Sequence, residues 1–420
     1  MQTTNKPAAL SGYQKLVIFI LAMTQFTVVL DFMVMSPMGD ILMKSLSLKP
    51  DQFGLAVSAY AFSAGASGLL TAGFADRFDR KKLLLFFYTG FVAGTVFCGL
   101  AVNYHLLIAA RIITGLFGGV IGSITLAIVA DIFSLEQRGR VMGFVQMGFG
   151  ASQVLGIPIG LYLATAWGWQ ATFLMIAGLA ALILILIFLR MKPLTQHLKV
   201  QRQGSAVRHL LQTVLNKEYR IGFTATALLA VGGFMMMPFS SAFAINNLHV
   251  THTQLPMLFM VSGVAALVVM PLIGKFSDQI DKFLLFSIAS VWLIIVVLFY
   301  TNLSVTPLWL VMVFNVTMMI GIMSRMVPAT ALTSAVPEMK DRGAFMSINA
   351  SLQQVAGGIA AVFAGLIVRQ QTETSPLEHY DIVGYSVVAI SILSIFLIYR
   401  VSRVVRNRRA RADIQTVPEV

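Results

Sequence analysis

The sequence is poor in charged residues, cysteine and catalytic motifs. Asp, Glu, Lys and Arg together make up 11% of the 420 residues, whereas soluble globular proteins carry about 25%. The only cysteine, Cys98, lies in an apolar run, which excludes a disulfide framework or a cluster of thiolate metal ligands. The sequence has no His-x-x-x-His pair, no Gly-x-Ser-x-Gly turn and no phosphate-binding loop. We therefore expect neither an enzyme nor an ATP-driven pump, and neither a cofactor nor a metal site.

Long apolar runs dominate the sequence instead. Hydrophobic residues make up 57% of the chain, and the mean hydropathy is +0.82. A membrane-spanning helix needs about 20 apolar residues, and twelve runs qualify: 15–38, 53–75, 83–102, 106–131, 141–164, 169–189, 221–245, 255–277, 283–301, 308–334, 343–368 and 382–401. The sequence thus predicts an all-α membrane protein with twelve transmembrane helices in two six-helix bundles.

The positions of the basic residues predict the orientation of these helices. If the N-terminus is cytoplasmic, 25 Lys and Arg lie on the cytoplasmic side and three on the outer side. Such a bias marks cytoplasmic loops, so both termini are predicted to be cytoplasmic. The formal charge of +13 is then a sign of topology and of contact with lipid headgroups, and we do not expect nucleic acid as a partner.

The longest polar stretch divides the chain into two halves. Residues 1–189 are predicted to form the N-terminal bundle and residues 221–401 the C-terminal bundle. The basic linker 190–220 between them contains a short amphipathic helix at 205–216. We interpret residues 402–420 as a mobile cytoplasmic tail.

Two sequence matches relate the halves to each other. Segment 70–80 resembles segment 272–282 at an offset of 202 residues, and segment 138–142 resembles segment 342–346 at an offset of 204. Each pair lies in a predicted cytoplasmic loop at the same place in its half. Parallel six-helix repeats are a known transporter architecture, with the solute site at mid-membrane between the halves.

Four segments resemble signatures of the major facilitator superfamily. Segment 76–82 (Asp-Arg-Phe-Asp-Arg-Lys-Lys) is similar to the family's loop after helix 2, although Asp79 stands where the family has glycine. Segment 107–119, which contains an arginine and three glycines, resembles the helix 4 signature. Segments 156–160 (Gly-Ile-Pro-Ile-Gly) and 167–173 resemble the exporter motif of helix 5 and the start of helix 6. Within the family, the chain looks most like the bacterial drug/proton antiporters of the arabinose-efflux-permease type.

This resemblance implies a monomeric transporter in the bacterial inner membrane that uses a proton gradient. It also implies a cytoplasmic gate that bridges the inner ends of helices 2 to 5 when the cavity opens outward, made of Asp76, Arg80, Asp131 and Arg138. By the internal repeat, we expect a weaker counterpart in the second half, made of Asp278, Lys282 and Arg342.

Two opposite charges inside predicted spans share one depth. Asp31 in helix 1 and Arg111 in helix 4 each lie roughly 22 Å above the inner face, from the helical rise of 1.5 Å per residue. Charges in the membrane interior are costly, so we treat Asp31 with Arg111 as a proton-coupling site. The alternative is that Asp31 only neutralises Arg111. Asp40, near the outer end of helix 1, is interpreted as a solvated or helix-capping residue.

Other polar side chains within the spans are candidates for solute contacts. They are Tyr60 in helix 2, Gln146 and Gln153 in helix 5, and Asn349 and Gln353 in helix 11. For the amides, the alternative is hydrogen bonding between helices. Arg325 in helix 10 has no acidic partner within the spans of its own half, so it is either a ligand for an anionic group or a side chain that reaches the cytoplasmic interface. With Arg111, it predicts a cavity that favours anionic, zwitterionic or neutral polar solutes.

We therefore predict a secondary active transporter, a proton-coupled exporter of small organic solutes or drugs. The alternative on the same fold is a proton-coupled importer of a nutrient or metabolite. A remote alternative from another class is a membrane receptor or scaffold that transports nothing. Solute, protons and membrane lipids are the expected partners.

Overall fold

The computed structural model describes residues 10–71, 78–195, 198, 206–338 and 341–415. The first half contains eight α-helices, which are α1 (Gly12–Val34), α2 (Gly39–Ser45), α3 (Pro50–Thr71), α4 (Arg80–Gly99), α5 (Tyr104–Ile132), α6 (Leu135–Ala151), α7 (Ile157–Trp167) and α8 (Trp169–Arg190). The remainder contains α9 (Ala206–Leu215), α10 (Lys217–Phe234), α11 (Ser240–Asn246), α12 (Leu255–Gln279), α13 (Lys282–Tyr300), α14 (Leu308–Ser334), α15 (Arg342–Ile367) and α16 (Tyr380–Gln415).

The twelve predicted membrane helices are confirmed. Twelve helical segments in the described chain are long and apolar enough to cross a membrane. The helices of the first half pack mainly on one another, as do those of the second, while α3 packs against α15 and α7 against α12 across the two bundles. Below, the inner face is the one that carries the start of α1, the linker helix α9 and the end of α16, and the opposite face is the outer face. That the inner face is cytoplasmic remains a prediction.

The first span of each half is broken near the outer face by a proline. The predicted helix 15–38 ends at Val34, and the chain resumes as α2 after a turn that contains Pro37. In the second half, Pro238 lies in the short 3-10 segment between α10 and α11. A proline cannot donate the backbone hydrogen bond that continues a helix. The two prolines are 201 residues apart, so the break belongs to the repeat.

The repeat also appears in matching helix caps. The side chain of Asp79 accepts a hydrogen bond from the amide of Lys81 at the start of α4, and Asp281 accepts one from Leu284 at the start of α13. Both aspartates have φ of −54° and ψ of 125°. Asp79 also accepts from the amide of Leu194 at 3.0 Å. The aspartate that departs from the family's glycine therefore caps a helix and ties it to the segment after α8.

The last helix is longer than predicted. The sequence predicts a span that ends near residue 401 and a mobile tail, but α16 continues to Gln415. The residues after 401 are basic and polar yet contain neither glycine nor proline before Pro418, so nothing in the sequence ends the helix earlier.

In the described part of the chain, polar contacts between the two bundles are concentrated in their outer halves. Ser241 donates to the carbonyl oxygen of Ser36 at 2.9 Å, and Ser58 donates to that of Gly358 at 2.8 Å. Inward of these contacts α3 still packs on α15, where a Cβ atom on Gly65 would meet Val355 and one on Gly68 would meet Ser351. Among the described residues, these hydrogen bonds join the two bundles on the outer side.

Candidate functional site

Asp31 and Arg111 form a direct ion pair inside the N-terminal bundle. Nη1 of Arg111 lies 2.8 Å from Oδ2 of Asp31, and both side chains are 0% exposed. The same nitrogen lies 3.3 Å from the backbone oxygen of Asp31, and the hydroxyl of Thr95 on α4 donates to Oδ1 at 3.3 Å. The pair thus joins α1, α4 and α5. The equal depths that the sequence predicted for Asp31 and Arg111 are consistent with this contact. A role of the pair in proton coupling stays a prediction.

An aromatic ring separates this ion pair from the surface where the bundles meet. The guanidinium carbon of Arg111 lies 4.6 Å from the centre of the Tyr60 ring, which is almost fully buried. Tyr60 contacts Phe32 at a centroid distance of 5.1 Å, and Phe32 contacts Phe234 of the other bundle at 5.8 Å. A cation over an aromatic face is attracted to it. The charge on Arg111 is therefore linked by contact to the interface between bundles.

Gln353 lies on the face of α15 that packs, one turn further out, on α10 of the same bundle. One turn further out on the same face, Gly357 packs against Phe234, where a Cβ atom would lie 3.0 Å from the ring. Gln353 is exposed. Residues four apart share a helix face, so this amide lies one turn inward of the aromatic contact between Phe32 and Phe234.

Gln146 is the exposed amide of the related span, on α6, although the repeat offset of 204 pairs it with Ala350 rather than with Gln353. One turn further out, Gly150 packs against Leu267 of α12 in the other bundle, and Gln146 itself is exposed. The segment α6–α7 and helix α15 are the fifth and eleventh spans, which the repeat relates. Gln146 and Gln353 are thus both exposed on equivalent spans, and their contact with solute stays a prediction.

The other two amides lie deeper between helices. Nε2 of Gln153 lies 2.7 Å from the sulfur of Met33, in the π-helical segment Ser152–Gly156 that joins α6 to α7. The side-chain oxygen of Asn349 on α15 is buried and has no hydrogen-bond partner among the described residues. Gln153 therefore stabilises packing within its bundle in this state, and Asn349 keeps a free acceptor.

Arg325 points into its own bundle. Its side chain is buried, Nη1 donates to the hydroxyl of Ser391 on α16 at 3.0 Å, and the guanidinium lies 5.3 Å from the ring of Phe286 on α13. The predicted alternative of a side chain that reaches the interface does not fit this burial. The repeat could have predicted this burial, because Arg325 corresponds to Ile121, a fully buried core residue of the first bundle.

The predicted gate residues of the first half contact their own bundle. Nε of Arg80 lies 3.3 Å from Oδ2 of Asp131, which joins α4 to α5. Arg138 donates to two carbonyl oxygens at the end of α5, those of Phe133 at 3.1 Å and Ala130 at 2.6 Å. Asp76 lies outside the described residues. These contacts join the inner ends of α4, α5 and α6.

Two of the three predicted second-half counterparts have described side chains. Lys282 donates to the carbonyl oxygen of Ser277 at 3.0 Å, and Arg342 is exposed at the start of α15. The side chain of Asp278 lies outside the described residues. By the repeat offset of 204, Asp131 corresponds to Ala335. The second half therefore has no acid at the position that pairs with Arg80 in the first.

Asp40 is not a solvated residue, and the sequence interpretation was wrong here. It is 1% exposed and accepts hydrogen bonds from Lys44 at 2.9 Å and from Asn246 of the other bundle at 2.6 Å. Nε2 of His252 lies 3.5 Å away. The error arose because the burial comes from the second bundle, which local sequence around Asp40 does not reveal.

The comparison with known families gives a match over most of the chain. The profile of the Major Facilitator Superfamily matches residues 21–361 and, in a second match, residues 222–416. A probable sugar efflux transporter of Mannheimia succiniciproducens is 28% identical over 61% of this chain, which is 63% of that protein. An uncharacterized MFS-type transporter of Bacillus subtilis, YbcL, is 27% identical over 91% of this chain and 95% of its own length.

Solved structures with the same fold cover nearly the whole chain. A bacterial homolog of the human lysosomal transporter Spinster has a TM-score of 0.76 at 15% identity, over 95% of this chain and 99% of that one. A D-xylose–proton symporter has a TM-score of 0.75 at 15% identity, over 92% of this chain and 98% of that one. At these identities, the likeness establishes the fold.

Proposed function

Because the chain belongs to the Major Facilitator Superfamily, we propose that it is a proton-coupled exporter of small polar organic solutes that works by alternating access. The chain is a transporter and a multi-pass membrane protein, as its family and its twelve spans indicate. The direction of transport, the coupling ion and the class of solute are what we propose here.

The observation that carries proton coupling is the buried pair of Asp31 and Arg111. A carboxylate in the membrane interior is stable as an anion only next to a countercharge. If the movement that opens the outer side separates Asp31 from Arg111, the carboxylate takes up a proton in that state. Return to the present arrangement restores the ion pair and releases the proton on the inner side. Each cycle then carries a proton inward while solute moves outward.

The aromatic contacts supply the route by which solute can affect this pair. Tyr60 touches Arg111 on one side and Phe32 on the other, and Phe32 reaches Phe234 of the second bundle. A solute that displaces Phe32 or Phe234 would shift the ring over Arg111. Solute binding and the proton state of Asp31 are thereby linked through two rings.

The exposed amides on α6 and α15 favour a neutral polar solute. The amides of Gln146 and Gln353 can both donate and accept, which suits hydroxyl-rich molecules. The relative from Mannheimia succiniciproducens is named a probable sugar efflux transporter, which favours export and a sugar-like solute. We place Arg325 behind this surface, where its contacts with α13 and α16 make it a packing residue in the present state.

Flux measurements in proteoliposomes test the proposal. Counterflow with a panel of sugars, sugar acids, amino acids and lipophilic cations identifies a transported class, and an imposed pH gradient then gives the direction of accumulation. We expect solute to accumulate on the acidic side. Accumulation on the opposite side would establish the importer instead, and no flux with any solute of the panel would favour a receptor or scaffold.

A further inference from the structure

The outer ends of the first spans of both halves meet in a small charged cluster. It consists of Asp40 and Lys44 on α2 and of Asn246 and His252 from the second half, and we call it the outer latch. Asn246 donates to Asp40 at 2.6 Å, and Lys44 lies 2.9 Å from Asp40 and 3.3 Å from the side-chain oxygen of Asn246. Nε2 of His252 lies 3.5 Å from the same carboxylate.

We propose that the outer latch holds the outer side of the transporter closed, with Asp40 as the carboxylate that binds the second bundle. The inference rests on the alternating access of the proposed function. It adds Asp40 as a residue that affects the equilibrium between the outward-open and the inward-open state. Asp40 acts there as a positioning residue rather than a ligand of the solute.

Symmetry places the latch where the bundles separate when the outer side opens. The helices α2 and α11 have seven residues each, and each follows a proline at an offset of 201 residues. A Cβ atom on Gly39 would lie 3.0 Å from the backbone oxygen of Pro238, so the two breaks are in contact. Paired interruptions in equivalent spans of repeat transporters mark functional positions.

Burial of the Asp40 carboxylate explains why its contact with Asn246 can shift the equilibrium toward the state in which the outer side is closed. Asp40 is 1% exposed and Asn246 is 7% exposed. A buried carboxylate requires donors, and the amide of Asn246 supplies a charge-assisted hydrogen bond from the opposite bundle. Opening the outer side removes that donor, so the closed state is favoured by this bond.

Lys44 explains why the latch can still open. It lies four residues after Asp40 on the same helix, so this ion pair can persist when the bundles part. The carboxylate then keeps a countercharge in both states, and only the contacts with Asn246 and His252 are lost. One charge-assisted hydrogen bond biases a two-state equilibrium by about tenfold or more, which solute and proton binding can reverse.

The test uses the access of a thiol reagent to the outer interface. Replacing Cys98 with Ser removes the only cysteine, and Ser241→Cys then places a thiol at a fully buried position next to Ser36. A membrane-impermeant maleimide added on the outer side reacts only when the outer side opens. Labelling requires neither solute nor a proton gradient, so its outcome is independent of whether the proposed coupling is correct.

Asn246→Ala is the decisive variant, because it removes the crossing bond and leaves the pair of Asp40 with Lys44 intact. We expect labelling to become about tenfold faster, and faster also with Asp40→Asn. Ser47→Ala is the matched control: it removes the hydrogen bond to Glu373, which also joins the bundles but is exposed. We expect the control to label at the parent rate.

A second measurement covers the case in which the introduced thiol disturbs the interface. Spin labels at Lys49 and Thr253, exposed positions on the outer side of the two halves, report the separation of the bundles. With Asn246→Ala, we expect a larger population at long distance and an unchanged melting temperature. Parent-like labelling and distances in a folded Asn246→Ala protein would overturn the proposal, as would an equal increase in the Ser47→Ala control.

Discussion

Arg111 meets Asp31 through a single guanidinium nitrogen. Nη1 makes the contact at 2.8 Å, while Nε and Nη2 of Arg111 are buried without a hydrogen-bond partner among the described residues. A two-nitrogen contact with a carboxylate is the stronger geometry. The Asp31 carboxylate is therefore held by one nitrogen of Arg111 and by the hydroxyl of Thr95, and the proposed coupling requires that the contact with Arg111 break when Asp31 takes up a proton.

The first prediction concerns coupling. Asp31→Asn should abolish uphill solute accumulation under a pH gradient, because an amide cannot carry the proton, while exchange of solute without a gradient continues. Solute-induced proton release from detergent-purified protein should also disappear. Asp51→Asn, which changes an exposed carboxylate at the start of α3, is the matched control and should behave like the parent. Gradient-driven accumulation by Asp31→Asn would remove Asp31 from the coupling step.

The second prediction concerns stability. Arg111→Leu should lower the free energy of unfolding by about 3 kcal/mol, because it leaves the Asp31 carboxylate buried without a countercharge. Adding Asp31→Asn to Arg111→Leu should recover a large part of that loss, since the double variant has no buried charge at this position. Denaturant titration of the four proteins in one detergent gives the interaction free energy. Additive losses would show that the two side chains do not stabilise each other.

The third prediction concerns the solute. Gln146→Ala and Gln353→Ala should each raise the half-saturating solute concentration by about fivefold to tenfold, the loss of one hydrogen bond, with little change in melting temperature because both side chains are exposed. Gln279→Ala, an exposed amide at the inner end of α12, should leave transport unchanged. Unaltered affinity in both variants would mean that the solute binds elsewhere.

The fourth prediction concerns Arg325. If its role is packing within the second bundle, Arg325→Ala should lower the melting temperature and affect all solutes alike, and Arg325→Met should restore most of the stability by refilling the volume. If it binds an anionic group after a conformational change, Arg325→Ala should weaken the affinity for sugar acids selectively. Comparing half-saturation for a sugar and for its acid in each variant separates the two roles. Equal effects on both solutes support packing.

The sequence predicted the elements that depend on local pattern. Apolar length marks the twelve spans, and the offset of 202 between Asp79 and Asp281 indicates the repeat that the matching caps display. The equal depths of Asp31 and Arg111 followed from counting residues along two helices, because the helical rise is constant. Pro37 and Pro238 were visible in the sequence, but the continuous apolar runs around them led to the prediction of unbroken helices.

The sequence alone determined the membrane, the number of spans and the depth of each charge, because these depend on composition and distance along a helix. Only the tertiary structure decided which neighbour each charge meets. Arg325 contacts α13 and α16 of its own bundle, and Asp40 is buried by the second bundle. Rotation of a helix about its axis and the approach of a segment 206 residues away leave no local pattern, so the outer latch appears only when the two halves are packed together.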